Sequence, residues 1–159
     1  MSDATGVPRL GYQPDEIITS EPTRAARYKW AIVADTTIPA GRMANAVACV
    51  AAATGALVDG LLAHGGPDAS GHVHPGLPWA GCTILGGTPQ EIAAVRAKAV
   101  ASEGVLVADM PTSAQTNRVY DDYLAELAGT KPEDLAITAF SVVGPRNRVD
   151  KMVKKLALL

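Results

Sequence analysis

Aromatic side chains, cysteines and surplus charge are all scarce in this chain of 159 residues. Only 4% of the residues are aromatic, so Ala, Val and Leu have to fill the core and the elements have to pack closely. Apolar residues make up 48% of the chain and charged residues 19%. This balance is typical of a globular protein and excludes a disordered chain. The length suits a single domain with a sizeable core.

A basic surplus is also lacking, because the formal net charge is −2. Proteins that bind nucleic acids in general usually carry a positive excess. The composition therefore disfavours tRNA as a partner, although it leaves a local basic patch open.

The chain has only two cysteines, Cys49 and Cys82, which is too few for a disulfide framework. Residues 1–22 are polar and lack the apolar segment of a signal peptide. We therefore expect a reduced, cytoplasmic protein in which both cysteines are small core residues. The longest apolar run, Met43–Leu62, is interrupted by polar residues and is too weakly apolar for a membrane span.

Motifs for common cofactors are missing as well. The sequence has no P-loop, no G-x-G-x-x-G and no G-x-S-x-G elbow, so we expect no cofactor. His72 and His74 form an H-x-H pair, but further ligands are not evident beyond His64 and Asp68. A metal site is therefore not expected.

Apolar runs alternate with helical patterns along the chain. Strands are predicted at residues 29–35, 80–87, 105–110 and 135–145, and helices at 42–62, 88–104, 117–129 and 146–159. Thr88 and Glu91 form a capping box around Pro89. The pattern predicts an extended or partly disordered N-terminal arm at 1–26, one domain at 27–159, and a long surface loop at 64–79.

This alternation predicts a three-layer α/β/α domain with a mixed, mostly parallel four-stranded sheet. In such sheets ligands bind beyond the carboxyl ends of the strands. The loops after Asp35, Asp109 and Val143 are expected to meet at that edge if their strands run parallel.

Four stretches resemble peptidyl-tRNA hydrolase type II and, more closely, a bacterial family of unassigned function that shares its fold. They are "IPAGRMAN", "GPDASGHVHPG", "VADMPTSAQTNRVYDDYLAEL" and "GPRNRVDKMVKKLALL". Together they span nearly everything from Lys29 to Leu159. The resemblance implies a peptidyl-tRNA hydrolase II-like fold and a homodimer, and it implies no established activity.

The first helix of that hydrolase family opens with G-K-x-A-A-Q-x-x-H-A, and Gly41 matches its glycine. The positions of the Lys, the second Ala, the Gln and the His hold Arg42, Asn45, Ala46 and Cys49. The acidic strand end and a nearby Thr of the family correspond to Asp109 and Thr112. Because Arg cannot act as a base near neutral pH, hydrolysis by the same residues is not expected.

Arg42 and Asn45 share one face of the predicted first turn of a helix. Free N–H groups and the helix dipole favour negative charge there, which indicates an anion or carbonyl site that includes Gly41. A local cap with a buried amide is the alternative interpretation of the pair.

Asp109, Thr112 and Gln115 are expected to form a second wall of the site, with an Asx-type turn as the alternative role of Asp109. His74 lies in the Gly-rich loop, where its imidazole serves as a base, as a donor or only as an anchor of the loop. Arg146 opens a helix near the expected sheet edge and is a further candidate ligand-binding residue.

The resulting hypothesis is a hydrolase-like protein with a rebuilt site that binds a small polar or acyl-type ligand. His74 or Asp109 would activate water or an amine, and Arg42 and Asn45 would stabilise a developing oxyanion. An ester or amide would then be hydrolysed or transferred. The alternatives are a non-catalytic binding or dimerisation module, and a peptidyl-tRNA or aminoacyl-tRNA hydrolase or transferase that uses the replaced residues.

Overall fold

Apolar runs and local capping signals account for most elements of the computed structural model, which describes residues 6–159. These residues form β1 (Leu10–Gly11), β2 (Tyr28–Asp35), α1 (Ala40–Leu57), β3 (Val58–Asp59), β4 (Gly66–Pro67), β5 (Val73–His74), β6 (Thr83–Gly87), α2 (Pro89–Val100), β7 (Leu106–Pro111), α3 (Thr112–Thr116), α4 (Tyr120–Gly129), β8 (Ile137–Pro145), α5 (Arg146–Val153) and β9 (Ala157–Leu158). Single turns of 3-10 helix cover Pro14–Glu16, Thr23–Ala25 and Pro132–Asp134.

The main sheet has five strands in the order β7-β8-β2-β6-β9. Strand β2 runs parallel to β6 and antiparallel to β8, while β8 is also antiparallel to β7 and β6 to β9. The prediction of a mixed α/β sheet is therefore confirmed. The prediction of four mostly parallel strands is wrong, since within this sheet a fifth strand is added and one pairing is parallel.

The direction of β8 decides which chain segments meet. The carboxyl ends of β2, β6 and β7 share one edge of the sheet, here called the carboxyl edge, and β8 ends at the opposite, amino edge. The expectation that the loop after Val143 joins those after Asp35 and Asp109 is therefore wrong. An apolar run buried on both faces has the same composition in either direction, so the sequence could not reveal this reversal.

Helices cover both faces of the sheet. One core lies between the sheet and α1 and includes Trp30, Ile32 and Val50. The second core lies on the side of α2 and α5 and includes Val33 and Phe140. Alternate residues of β2 thus face different helical layers, which explains why this strand is apolar throughout.

Several element boundaries differ from the sequence-based expectation. Helix α1 ends at Leu57, and the helix predicted at 117–129 is preceded by the separate helix α3. The last helix ends at Val153 because the chain then turns to pair β9 with β6. The predicted capping box is confirmed, since the Thr88 side chain accepts from Glu91 N and Thr88 N donates to the Glu91 carboxylate.

Residues 6–26 contact the rest of the same chain. Leu10 pairs with Val58, and the buried Tyr12 ring makes edge contacts with Tyr28 and Trp79 at centroid distances of 5.2 and 4.9 Å. The predicted N-terminal arm also includes residues 1–5, which lie outside the described residues.

Both cysteines are exposed, so their prediction as core residues is wrong. Helix α1 buries the stripe formed by Ala46, Val50 and Thr54, while Cys49 lies on its outer face. A small-residue helix gives little indication of its buried face, because Ala is common on surfaces as well as in cores. None of the helices in residues 6–159 combines the length and apolarity required to cross a membrane.

A buried chain of hydrogen bonds links α1 to the centre of the sheet. Trp30 Nε1 donates to Ser141 Oγ at 2.8 Å, Ser141 Oγ lies 2.7 Å from Thr54 Oγ1, and Thr54 Oγ1 lies 2.7 Å from the Val50 carbonyl. Each hydroxyl has one hydrogen, so every contact is satisfied only if Ser141 donates to Thr54 and Thr54 donates to Val50. The chain therefore places Thr54 of α1 opposite Ser141 of β8.

We expect Ser141→Ala to lower the free energy of unfolding by about 1–3 kcal/mol, because it leaves the buried Trp30 N–H without an acceptor. Urea unfolding measures the change. The loss in Ser141→Ala/Thr54→Val should be smaller than the sum of the single losses, since both changes break the same hydrogen bond. Ser20→Ala, which removes an exposed hydroxyl, is the control, and strict additivity in the double variant would contradict the chain of hydrogen bonds.

Candidate functional site

Four of the residues predicted for the site meet where α1 begins. Gly41, Arg42 and Asn45 in the first turns of α1 line a cavity of about 420 Å³ together with Ala114 and Gln115 of α3. We call this cavity the α1 cleft. It lies at the carboxyl edge of the sheet, because α1 follows β2 and α3 follows β7 directly.

The Gln115 amide fixes the hydrogen-bonding character of the α1 cleft. Its Nε2 donates to the Arg42 carbonyl at 2.8 Å and to Asn45 Oδ1 at 3.1 Å. Since a carbonyl only accepts, the Gln115 NH₂ group has to face α1, and Asn45 then presents its oxygen to Gln115. The Asn45 NH₂ group is left as a donor, and within residues 6–159 the buried Gln115 Oε1 has no partner.

The start of α1 supplies further donors. Pro39 is the N-cap residue and offers no side-chain acceptor to the first N–H groups of the helix. The Arg42 guanidinium is exposed and makes no hydrogen bond or salt bridge within residues 6–159. Donors therefore dominate the α1 cleft, which suits a carboxylate, phosphate or carbonyl oxygen.

The structure places Asp109 on the other face of the sheet. Arg96 of α2 donates two hydrogen bonds to the Asp109 carboxylate, from Nε to Oδ1 at 2.8 Å and from Nη2 to Oδ2 at 2.7 Å. The hydrogen bonds with Asp109 raise the pKa of Arg96 above its ordinary value. Asp109 thus joins α2 to β7 and does not line the α1 cleft with Arg42.

Arg96 was missed in the sequence analysis, and no spacing rule relates a residue in the middle of a helix to the end of a later strand. Asp109 also lines a separate cavity of about 420 Å³ with Cys49, Ala53 and Tyr123, at the open side of β7. This neighbouring cavity adjoins the α1 cleft, since α1 lines both and Ala114 belongs to both linings.

Thr112 lies at the carboxyl edge but lines a different cavity from Gln115. Its N and Oγ1 donate to the Ala136 carbonyl at 2.9 and 3.3 Å. The cavity that Thr112 lines has a volume of about 380 Å³ and also contains Asp35 and Arg96. We call it the carboxyl-edge cavity. Its charged residues Asp35 and Arg96 were not predicted as site residues.

His74 does not line the α1 cleft. It belongs to a two-stranded hairpin of β4 and β5 that follows the carboxyl end of α1, a helix about 27 Å long at 1.5 Å per residue. His74 Nε2 lies 3.3 Å from Asp68 Oδ2, and its ring contacts that of His72. The structure thus gives His74 partners inside the hairpin and does not place it in the α1 cleft with Arg42.

Arg146 lies at the amino edge, away from the other predicted site residues. Its guanidinium donates to the carbonyls of Thr23, Ala26 and Tyr28 at 3.0–3.2 Å. This position follows from the antiparallel direction of β8, which carries the start of α5 to the edge where β2 begins. Arg146 holds residues 23–28 against the domain.

Among residues 6–159, no group of three or more His, Cys, Asp or Glu side chains is arranged to hold a metal ion. His72 and His74 remain a pair, and Asp68 is occupied by the hairpin turn, where its carboxylate accepts from Ser70 N and Oγ at 2.8 and 2.6 Å.

A family described as "Protein of unknown function (DUF2000)" matches residues 28–159. The chain belongs to this family. A solved structure, that of the protein of unknown function Atu0240 from Agrobacterium tumefaciens strain C58, is similar to this DUF2000 chain with a TM-score of 0.71 and 12% sequence identity. The match covers 84% of this chain and 98% of that one, and at this identity it shows a shared fold alone. No curated protein matches the chain.

Asp109→Ala should lower the free energy of unfolding of the DUF2000 chain by about 1.5–3 kcal/mol, because it leaves the half-buried Arg96 guanidinium without its carboxylate. Urea unfolding tests this, with Asp15→Ala as a matched control for the loss of an exposed carboxylate. We expect Arg96→Ala/Asp109→Ala to be more stable than the sum of the single losses predicts. Equal stability of Asp109→Ala and the wild type would show that the pair contributes nothing.

The hairpin should keep its structure to unusually low pH. Hydrogen bonds from the Ser70 side chain, and then from His74, lower the pKa of Asp68 to about 2. The ordinary value is about 3.9, so these bonds contribute fully above that pH and are lost as the pH falls through about 2. The carboxyl carbon of Asp68 and the Ser70 amide should therefore titrate together near pH 2 in NMR spectra, whereas a midpoint near 4 would contradict the structure. Asp68→Asn should remove this transition.

Proposed function

We propose that this protein binds a small polar ligand through an anionic or carbonyl group in the α1 cleft. The observation that carries the proposal is the set of donors without partners at the start of α1. Arg42 and Asn45 line the cleft, the Asn45 NH₂ group is left over by the bond from Gln115, and the first N–H groups of α1 have no side-chain cap. An oxygen with two or more lone pairs is the partner that satisfies such a set.

The residues around the cleft indicate which chemical groups the ligand carries. An Arg side chain binds a planar carboxylate with two parallel hydrogen bonds, and the positive end of the α1 dipole adds to the attraction. Gln115 holds Asn45 in place through its bond to Asn45 Oδ1. The volume of about 420 Å³ suits a small molecule or the acyl end of a larger one.

The chemistry of the cleft favours binding over acyl transfer. Its lining residues are Gly41, Arg42, Asn45, Ala114 and Gln115, none of which is a base near neutral pH. Asp109 and His74, the expected activators of water, make their described contacts elsewhere. The binding module named among the sequence-based alternatives is therefore the function we propose, and hydrolysis of an ester or amide is the second candidate.

A peptidyl-tRNA hydrolase II-like fold is part of this proposal. It is supported by the four resembling stretches and is compatible with a mixed sheet that has helices on both faces. In that comparison the start of α1 corresponds to the segment where the hydrolase carries its Lys, and Arg42 retains the positive charge. A homodimer and a cytoplasmic location stay predictions.

The proposal is tested by titrating the protein with N-acetylglycine, which carries one acyl carbonyl and one carboxylate, while following backbone amides by NMR. We expect saturable shifts at Gly41 and Asn45 and at least a tenfold weaker dissociation constant in Arg42→Ala, since the only charged donor is lost. Arg24→Ala removes an exposed arginine near the amino edge and should bind as the wild type does. N-acetylglycinamide, which lacks the carboxylate, should bind the wild type and Arg42→Ala alike.

Absence of shifts in the wild type, or equal binding by Arg42→Ala, would overturn the proposal. Release of an N-acyl amino acid from N-acyl-aminoacyl-tRNA that is lost in Arg42→Ala would instead establish the hydrolase alternative. In that case the salt dependence of tRNA retention would show how many phosphates are contacted.

A further inference from the structure

The carboxyl-edge cavity has the properties of a ligand site that is separate from the α1 cleft. It lies between α2 and the turn at Pro132–Asp134, beyond the carboxyl ends of β2 and β7, and has a volume of about 380 Å³. Ligands of open α/β sheets bind in this position, because the strands end there and the connecting loops leave space. It shares no lining residue with the α1 cleft.

A buried carboxylate lies at the base of the carboxyl-edge cavity. Asp35 ends β2 and is only 5% exposed. Its Oδ1 accepts from Thr37 N at 2.8 Å and from Thr37 Oγ1 at 2.6 Å. Its Oδ2 has no hydrogen-bond donor within residues 6–159, yet it is not among the side-chain oxygens sealed from solvent. One carboxylate oxygen is therefore free on the side of the cavity.

The remaining lining combines apolar walls with a negative rim. Ile92, Ala93, Leu135 and Ile137 form apolar walls, and the exposed Glu133 adds a second carboxylate. Arg96 also lines the cavity, but two of its nitrogens bind Asp109, so its charge is compensated there. The cavity thus presents acceptors and apolar surface, whereas the α1 cleft presents donors.

We propose that the carboxyl-edge cavity binds a small organic ammonium, whose N–H group donates to Asp35 Oδ2 and whose apolar body packs against Ile92 and Ile137. A carboxylate that is only 5% exposed is poorly hydrated, and a charge-assisted hydrogen bond from an ammonium to its remaining oxygen compensates for the burial. The apolar walls select an alkyl or similar body over a fully hydrated cation. This inference is independent of the α1 cleft.

The test uses n-butylammonium chloride as the probe and the methyl signals of Ile92 and Ile137 as the NMR readout. We expect saturable shifts in the wild type and at least tenfold weaker binding in Asp35→Asn, because Asn keeps the acceptor for Thr37 but loses the charge. n-Butanol has the same apolar body without the charge. n-Butanol should bind the wild type more weakly than n-butylammonium does, and it should bind the wild type and Asp35→Asn with equal affinity.

A second pair of variants keeps Asp35 and tests the cavity itself. Ala93 and Ala94 are adjacent, exposed positions of α2, and of the two Ala93 lines the cavity. Ala93→Phe should fill the space and abolish binding, while Ala94→Phe should bind n-butylammonium as the wild type does. This pair decides the matter if Asp35→Asn fails to fold.

Three results would overturn the proposal. They are the absence of shifts at Ile92 and Ile137 in the wild type, equal binding of n-butylammonium and n-butanol, and unchanged binding in Ala93→Phe. A failure of N-acetylglycine to bind at Gly41 and Asn45 would affect only the α1 cleft, because the two readouts use different residues.

Discussion

The antiparallel pairing of β2 with β8, from Tyr28 opposite Pro145 to Ala34 opposite Ala139, determines at which edge of the main sheet the connections from strands to helices lie. Both strands are almost wholly buried, so their backbone hydrogen bonds have to be made with each other and with β6 and β7. Because β8 opposes its neighbours, the chain reaches α1, α2 and α3 from the carboxyl edge and α5 from the amino edge. The two candidate cavities lie at the carboxyl edge, and the hydrogen bonds from Arg146 to residues 23–28 lie at the amino edge.

Local signals predicted much of this fold. Periodicity and capping located the four long strands, α2 and the start of α1, because these signals depend on residues within a few positions of one another. Strand β9 and the separation of α3 from α4 were missed. A two-residue strand at Ala157–Leu158 exists through its pairing with Leu85 and Gly86, and nothing local to the C-terminal segment specifies that partner.

Only some of the residues predicted for the site lie together, and the reason is the alternation of side chains along a strand. Gly41, Arg42, Asn45 and Gln115 meet because two helix starts at the same edge belong to the same layer. Asp109 faces the other layer, since its neighbours Ala108 and Met110 face α1, and there it meets Arg96. A sequence shows that a carboxylate ends a strand, but the face of that residue depends on the register with β8 and thus on the whole sheet.

The same alternation gives the carboxyl edge two cavities of opposite polarity. Ala34 faces the α1 layer and Asp35 faces the α2 layer, so acceptors collect on one side of the sheet and the donors of the α1 start collect on the other. The segment between Asp35 and Ala40 belongs to both, since Thr37 binds Asp35 while Pro39 is the N-cap of α1. Thr36 N also donates to the Gly87 carbonyl at 3.1 Å, which ties this segment to β6. A short connection, hydrogen-bonded at Thr36 and Thr37, therefore links the position of Arg42 to that of Asp35, and a change in either layer has to be accommodated by these few residues.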